Sequence, residues 1–412
     1  MTGAVQFEDV LEQLFPPGYD LTPGLNELYE LRLARLESEA LSQEALRERG
    51  AYFARVGGEA TRHFRLCTGA PLAVDRQASM RLRTFFVANQ FKTGYATHGL
   101  FPYRGKFHPQ MIKALINIMG VTPGETLLDP MMGSGTAIVE GAVMGIDGIG
   151  LDLNPLCKLM VNAKLAGLAM DPCALEPACA EPQTTFDALE HNQVPAGATG
   201  GLLRLAFYDT LGYAARRKGK EPRALFANVL NRYHQAVEKC HHGLGDAPLG
   251  RALAVHGDAR QLPLPDHCVQ GVIFSPPYSF AVDYVANDAE QLERLDVDTQ
   301  ALRQNMVGLR GQGTKRVELY FQDMDRVMAE VSRVLAPGRR CCIIVGSNTK
   351  QLQRLLGPDQ AMGIEDRLVD QAAPLGLELV WRTTRQVTGM ANTMRDEHIL
   401  LFQRQAVASA AR

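Results

Sequence analysis

One stretch, Thr126 to Asp152, restricts the architecture more than any other part of the chain. Thr126-Leu127-Leu128-Asp129 reads as a short buried strand. Ala137 to Met144 reads as a helix of small and apolar residues packed on a sheet. Gly148-Ile149-Gly150-Leu151-Asp152 reads as the next strand. A strand, loop, helix and strand in that order form a crossover unit, and such a unit implies a parallel sheet. The fold class expected is therefore α/β, with helices on both faces of the sheet.

The rest of the chain extends this core. Ala252 to Asp258 reads as a third strand, and Gly271-Val272-Ile273-Phe274 as a fourth. A helix through Met324 to Leu335, a turn at Ala336-Pro337-Gly338 and a strand from Cys341 to Val345 follow. Leu377 to Trp381 and His398 to Phe402 suit a closing antiparallel hairpin. Residues 96–155 and 251–412 are thus read as the core. Residues 156–250 are read as an insertion, helical at both ends and loop-like around Pro195 to Gly201. Residues 282–321 form a second insertion. Residues 1–95 read as a mainly helical N-terminal lobe, clearest from Leu25 to Arg49, with Pro23 suited to its first turn and Gly50 to its end.

With 412 residues, 46% hydrophobic and 21% charged, the chain has the composition of a globular protein with a sizeable core. No run of about 18 uncharged apolar residues occurs, so no membrane span is expected. The N-terminus lacks the basic start and apolar core of a signal peptide. The eight cysteines show no Cys-x-x-Cys spacing and read as reduced thiols of a cytosolic, cytoplasmic protein rather than a metal site. Net charge is −2, but its sign is uneven. Arg76 to Gly124 contains no acid, Arg216-Arg217-Lys218-Gly219-Lys220 is basic, and Arg303 to Arg316 is again free of acids. Such stretches fit either a nucleic-acid face or ordinary solvated side chains.

Asp129-Pro130-Met131-Met132-Gly133-Ser134-Gly135-Thr136 joins the first strand to its helix. Glycines let a backbone approach a ligand closely. A phosphate loop needs Gly-Lys-Ser/Thr, which is absent, and a dinucleotide fingerprint needs glycine where Ile138 stands. A structural turn is the remaining generic reading. Asp152, at the end of the next strand, can accept hydrogen bonds from ribose hydroxyls. Asp258, ending the third strand, suits either the exocyclic amine of an adenine or a helix cap. Phe107, upstream of the first strand, suits either a cofactor's cover or core packing.

Ser275-Pro276-Pro277-Tyr278 ends the fourth strand. Two prolines remove two backbone donors and fix two φ angles, so the strand cannot continue. A rigid corner remains at the carboxyl end of a strand, where ligands bind in α/β sheets. An amino group on a nucleobase is a poor nucleophile because its lone pair is delocalised. Acceptors at its protons, such as Ser275 Oγ and the Pro276 carbonyl, localise that pair. Tyr278 can stack on a base turned out of a helix.

Together, the Ser-Pro-Pro-Tyr corner, the Asp129 to Thr136 loop and the preceding Lys106 to Ile112 stretch resemble DNA methyltransferases that modify exocyclic amino groups with S-adenosylmethionine. The serine form is most similar to cytosine-N4 enzymes. The resemblance implies a Rossmann-like methyltransferase sheet. It assigns Asp129, Gly133, Gly135 and Asp152 to the cofactor, and Phe107, Ser134, Thr136 and Asp258 are further candidates for the same role. Ser275, Pro276, Pro277 and Tyr278 fall to the target base. The expected partner is DNA, as in restriction-modification systems. RNA is the second candidate, because Asp129 to Asn154 is also similar to guanine-N2 RNA methylases. The resemblance leaves room as well for adenine-N6 methylation of DNA and for a non-catalytic regulator that binds nucleic acid. Gly308 to Arg316 is glycine-rich and basic. Its Arg310, Lys315 and Arg316 are candidate contacts to a nucleic-acid backbone, the other reading being a surface loop. Oligomeric state is not readable.

Overall fold

Alternation along the central strands decides how the sheet is covered. Cys341, Ile343 and Val345 pack with Leu400 and Phe402 in one apolar cluster, while Cys342 and Ile344 pack with Ile399 and Leu401 in another. Successive strand side chains point to opposite faces, so an unbroken apolar run is buried on both. The computed structural model describes residues 13–25, 27–68, 94–103, 105–216, 220–277, 283–347, 349–357, 362–386 and 396–406.

Among the described residues the strands are β1 (Tyr19–Leu21), β2 (Phe53–Val56), β3 (Glu59–Ala60), β4 (Thr126–Asp129), β5 (Asp147–Asp152), β6 (Ala252–His256), β7 (Val269–Phe274), β8 (Leu335–Gly346), β9 (Leu377–Gln386) and β10 (Asp396–Arg404). Strands β4 to β10 build a seven-stranded sheet in the order β6-β5-β4-β7-β8-β10-β9. β4 to β8 pair in parallel, and β10 runs antiparallel between β8 and β9. The chain winds from β4 to one edge and then returns with β7 on the other side. The switch point therefore lies between β4 and β7, where doubly wound sheets open a crevice at their strand ends.

Helices cover both faces, as the sequence leads one to expect. Helices Pro109–Ile118 and Thr136–Val143 lie on the face of Ile273, Cys342 and Ile344. Helices Gly313–Val334 and Ile364–Ala372 lie on the face of Val272, Cys341 and Ile343. Helices Pro155–Ala169, Ala198–Ala215 and Pro222–Leu244 share a third cluster with Ala254 of the edge strand β6. None of the described helices is long and apolar enough to cross a membrane.

Four local expectations change. The Leu25 to Arg49 run divides into helices Leu28–Ala40 and Gln43–Arg49, because Ser42 caps the second by accepting from Ala45 N at 3.3 Å. The N-terminal segment also carries the small antiparallel sheet β1-β2-β3, and Phe15, Leu33 and Phe53 share one apolar cluster with the main sheet. The Ala336-Pro337-Gly338 turn becomes an irregularity within β8, where the β7 register jumps between Val269 and Gly271. The Gly200-Gly201 and Gly313 to Arg316 stretches are helical, because tertiary packing overrides their low propensity.

Candidate active site

The loop after β4 is held through its backbone amides. Met131 N donates to Asp129 Oδ1 at 3.1 Å, Met132 N to Leu151 O at 2.8 Å, and Gly133 N to Asp152 Oδ2 at 2.9 Å. Gly135 N donates to Met132 O at 2.7 Å. These amides are therefore not available to a phosphate, unlike those of a phosphate-binding loop. Gly133 and Gly135 have φ of 48° and 72°, in the left-handed region. A Cβ on Gly135 would come within 2.4 Å of Val161 Cγ2, and one on Gly133 within 3.3 Å of Tyr103 Cε1. Glycine thus suits both positions for conformation, and at Gly135 for space as well.

A cleft opens at the carboxyl ends of β4 to β7. It brings together Phe107, Gly133, Ser134, Asp152, Asp258, Ser275 and Pro277, residues far apart in sequence. Asp129 is fully buried beneath the loop, and Gly135, Thr136 and Pro276 are not among the lining residues. Tyr278 lies outside the described residues. Arg310, Lys315 and Arg316 do not line the cleft. Arg310 donates to Asp323 at 2.6 Å, Lys315 pairs with Glu318 at 3.0 Å, and Arg316 is half-buried. Residues 305–307, from the segment expected to meet the target, line the cleft together with Asp258.

Among the described residues, the charged side chains lining the cleft are Asp152, Asp258 and Lys106. Burial raises the Asp152 carboxyl, although Asn154 N and Gly133 N bond its two oxygens. Burial also opposes ionisation of Asp258, but Arg260, bonded to it at 2.7 Å, outweighs burial and lowers its pKa. Burial pushes Asp129 well above the usual carboxylate range, and its Oδ2 has no hydrogen-bond partner. Two carboxylates on the cleft wall would repel a phosphate and accept from hydroxyls and amines. An orphaned carboxylate oxygen and a two-glycine cradle beside them fit a cofactor that carries a ribose, an adenine and positive charge. Asp152, Asp258, Gly133 and Ser134 are the residues placed to hold it.

Two lining residues, Tyr103 and Tyr284, escaped sequence reasoning. Tyr103 and Tyr284 stack with ring centroids 6.3 Å apart and planes 16° apart, and both also line a second cavity beside the cleft. Their pairing depends on two distant segments, so no spacing in the chain announces it. Lys106 lines the cleft and donates from Nζ to His98 O at 2.8 Å. The position of Arg260, two residues after Asp258, was the one available signal for its bond.

Comparison with known proteins bears on the family. The chain is 41% identical over 68 residues to the type II methyltransferase M.MjaII of Methanocaldococcus jannaschii, covering 16% of this chain and 13% of that protein. It is 33% identical over 54 residues to a tRNA (guanine(10)-N2)-dimethyltransferase of Methanothermobacter thermautotrophicus, covering 13% of this chain and 16% of that one. The chain thus matches less than a fifth of the length of these curated relatives. A solved SAM-dependent methyltransferase from Methanosarcina mazei aligns at 12% identity and a TM-score of 0.34, over 69% of this chain and 93% of its own. A family model described as UPF0020, RMKL-like, methyltransferase domain, matches residues 100–340. That match spans more than half of the chain, from just before the glycine loop through the diproline corner and into β8. The chain therefore belongs to this family of methyltransferases, and S-adenosylmethionine is its cofactor.

Proposed function

We propose that the protein methylates an exocyclic amino group of a nucleobase, N4 of cytosine in DNA. One observation carries this reading: Ser275 and Pro277 of the diproline corner line the same cleft as Gly133, Asp152 and Asp258. Bound S-adenosylmethionine supplies an electrophilic methyl group on a sulfonium. Ser275 Oγ and the Pro276 carbonyl accept hydrogen bonds from the two amino N–H groups and leave the nitrogen lone pair localised, and one of those protons leaves to solvent once the nitrogen carries the methyl. The two prolines keep both acceptors in place without reorganisation. The stacked Tyr103 and Tyr284 provide an aromatic wall on which a planar base can rest. Lys315 and Arg316, at the start of helix Gly313–Val334, are our candidates for backbone phosphate contacts.

The similarity to M.MjaII and to M.BsoBI of Geobacillus stearothermophilus, 31% identical over 78 residues, supports a DNA substrate. A second reading, methylation of guanine N2 in RNA, is supported by the match to the tRNA dimethyltransferase. Incubation with labelled S-adenosylmethionine and separate DNA and RNA pools, followed by mass spectrometry of nucleosides, separates the two. N4-methylcytosine from DNA is expected. Label confined to RNA would replace the first reading with the second. Replacing Ser275 with alanine is expected to lower kcat by about a hundredfold or more, with affinity for S-adenosylmethionine unchanged, because one preorganised acceptor is lost.

A further inference from the structure

Helix Pro155–Ala169 presses one stripe of side chains onto the back of the glycine loop. Cys157, Val161 and Lys164 lie at helical spacing on one face. Cys157 Sγ meets Tyr103 Oη at 3.7 Å, Val161 fills the space that makes Gly135 obligatory, and Lys164 Nζ donates to the Ser134 carbonyl at 2.8 Å. Lys164 is 1% exposed. Burial, then neighbouring Lys106, lowers its pKa to about 7, and among the described residues no carboxylate pairs with it. A lysine buried without a counter-ion opposes folding, so an apolar side chain of the same length would serve stability as well or better. What the lysine does provide is a donor to one carbonyl. That carbonyl belongs to the peptide whose other end, Gly135 N, is bound to Met132 O. Both ends of the Ser134–Gly135 peptide are therefore pinned, and Ser134 faces the cleft.

We infer that Lys164 is a positioning residue for the methyl donor: from behind the glycine loop it holds the Ser134 carbonyl and so keeps the loop in its cofactor-binding shape. The inference rests on the cofactor alone and is independent of which nucleobase is methylated. A loop that visits other shapes binds its ligand more weakly in proportion to the time spent in them. The test is titration calorimetry of the full chain with S-adenosylmethionine, next to thermal melts. Lys164→Met is expected to melt at the wild-type temperature or above, yet to bind S-adenosylmethionine about tenfold more weakly or worse. Lys164→Arg, which keeps a donor, is expected to recover most of that loss. In turnover, Lys164→Met is expected to raise KM for S-adenosylmethionine while kcat and KM for nucleic acid change by less than about threefold. A merely structural lysine would instead lower the melting temperature and leave KM untouched. A folded Lys164→Met chain with wild-type affinity overturns the inference. Should that variant not melt cooperatively, Lys164→Leu takes its place with the same two outcomes, and failure of both to fold also counts against it. Wild-type protein that does not bind S-adenosylmethionine would defeat the cofactor assignment instead.

Discussion

Gly135 shows how much of this site is set by single residues. Its φ of 72° and the nearness of Val161 mean that a side chain there meets strain and overlap together. Gly135→Ala is expected to cost about 3 kcal/mol in urea unfolding, the sum of a left-handed backbone and a crowded methyl. Gly124→Ala is the comparison. Its φ of 83° is strained too, but no atom lies within 4 Å of its Cβ position, so about 1 kcal/mol is expected. Equal losses at the two sites would show that the Val161 contact carries no weight. The Gly-Ser-Gly loop was legible in the chain because glycine adopts such angles without the strain a side chain brings. Lys164 was not, since a lysine in a helix normally points to water and only the packed loop turns it inward.

At the scale of elements, a buried carboxylate is one of the links between the N-terminal helices and the core. Glu37 accepts from Ala51 N at 2.8 Å, Tyr52 N at 3.2 Å and Asn117 Nδ2 at 2.7 Å. Asn117 belongs to the core helix Pro109–Ile118, so the bond crosses between segments. Burial raises Glu37 from 4.5 to about 7 despite these donors. Between those values the folded chain binds a proton that the unfolded chain has released. Stability from this group is therefore full below pH 4.5 and is lost as pH rises towards 7, by up to about 3 kcal/mol. Glu37→Gln is expected to flatten that slope in unfolding measured from pH 4.5 to pH 7; an unchanged slope would place its origin elsewhere. The helical pattern around Glu37 was readable. Its junction with Asn117 was not, because no local rule relates residues so distant in the chain.

Across the whole molecule, the cleft and the segment after the diproline corner are tied by a charge network. Arg260 bonds Asp258 on the cleft wall, Asp323 at 3.0 Å and the Asn305 carbonyl at 2.8 Å. Arg310 adds a second bond to the buried Asp323. Arg310→Ala is expected to destabilise the fold by about 1–3 kcal/mol, because a buried carboxylate loses a charged donor. Lys315→Ala removes an exposed pair and is expected to change stability by under about 0.5 kcal/mol. Urea unfolding of the two variants separates them. If the proposed nucleic-acid contact is right, the Lys315 change weakens binding and lowers its salt dependence instead.

Sequence alone determined the sheet that the chain builds, the loop that opens it and the corner that closes its fourth strand. Each of these depends on short-range rules: strand alternation, glycine angles and proline rings. Only the tertiary structure decided that Ser275, Asp152 and Asp258 share one cleft, that Tyr103 meets Tyr284, and that Arg310 turns inward to Asp323. Those facts depend on which segments lie side by side, and that follows from the burial of the chain as a whole rather than from any residue's neighbours in sequence.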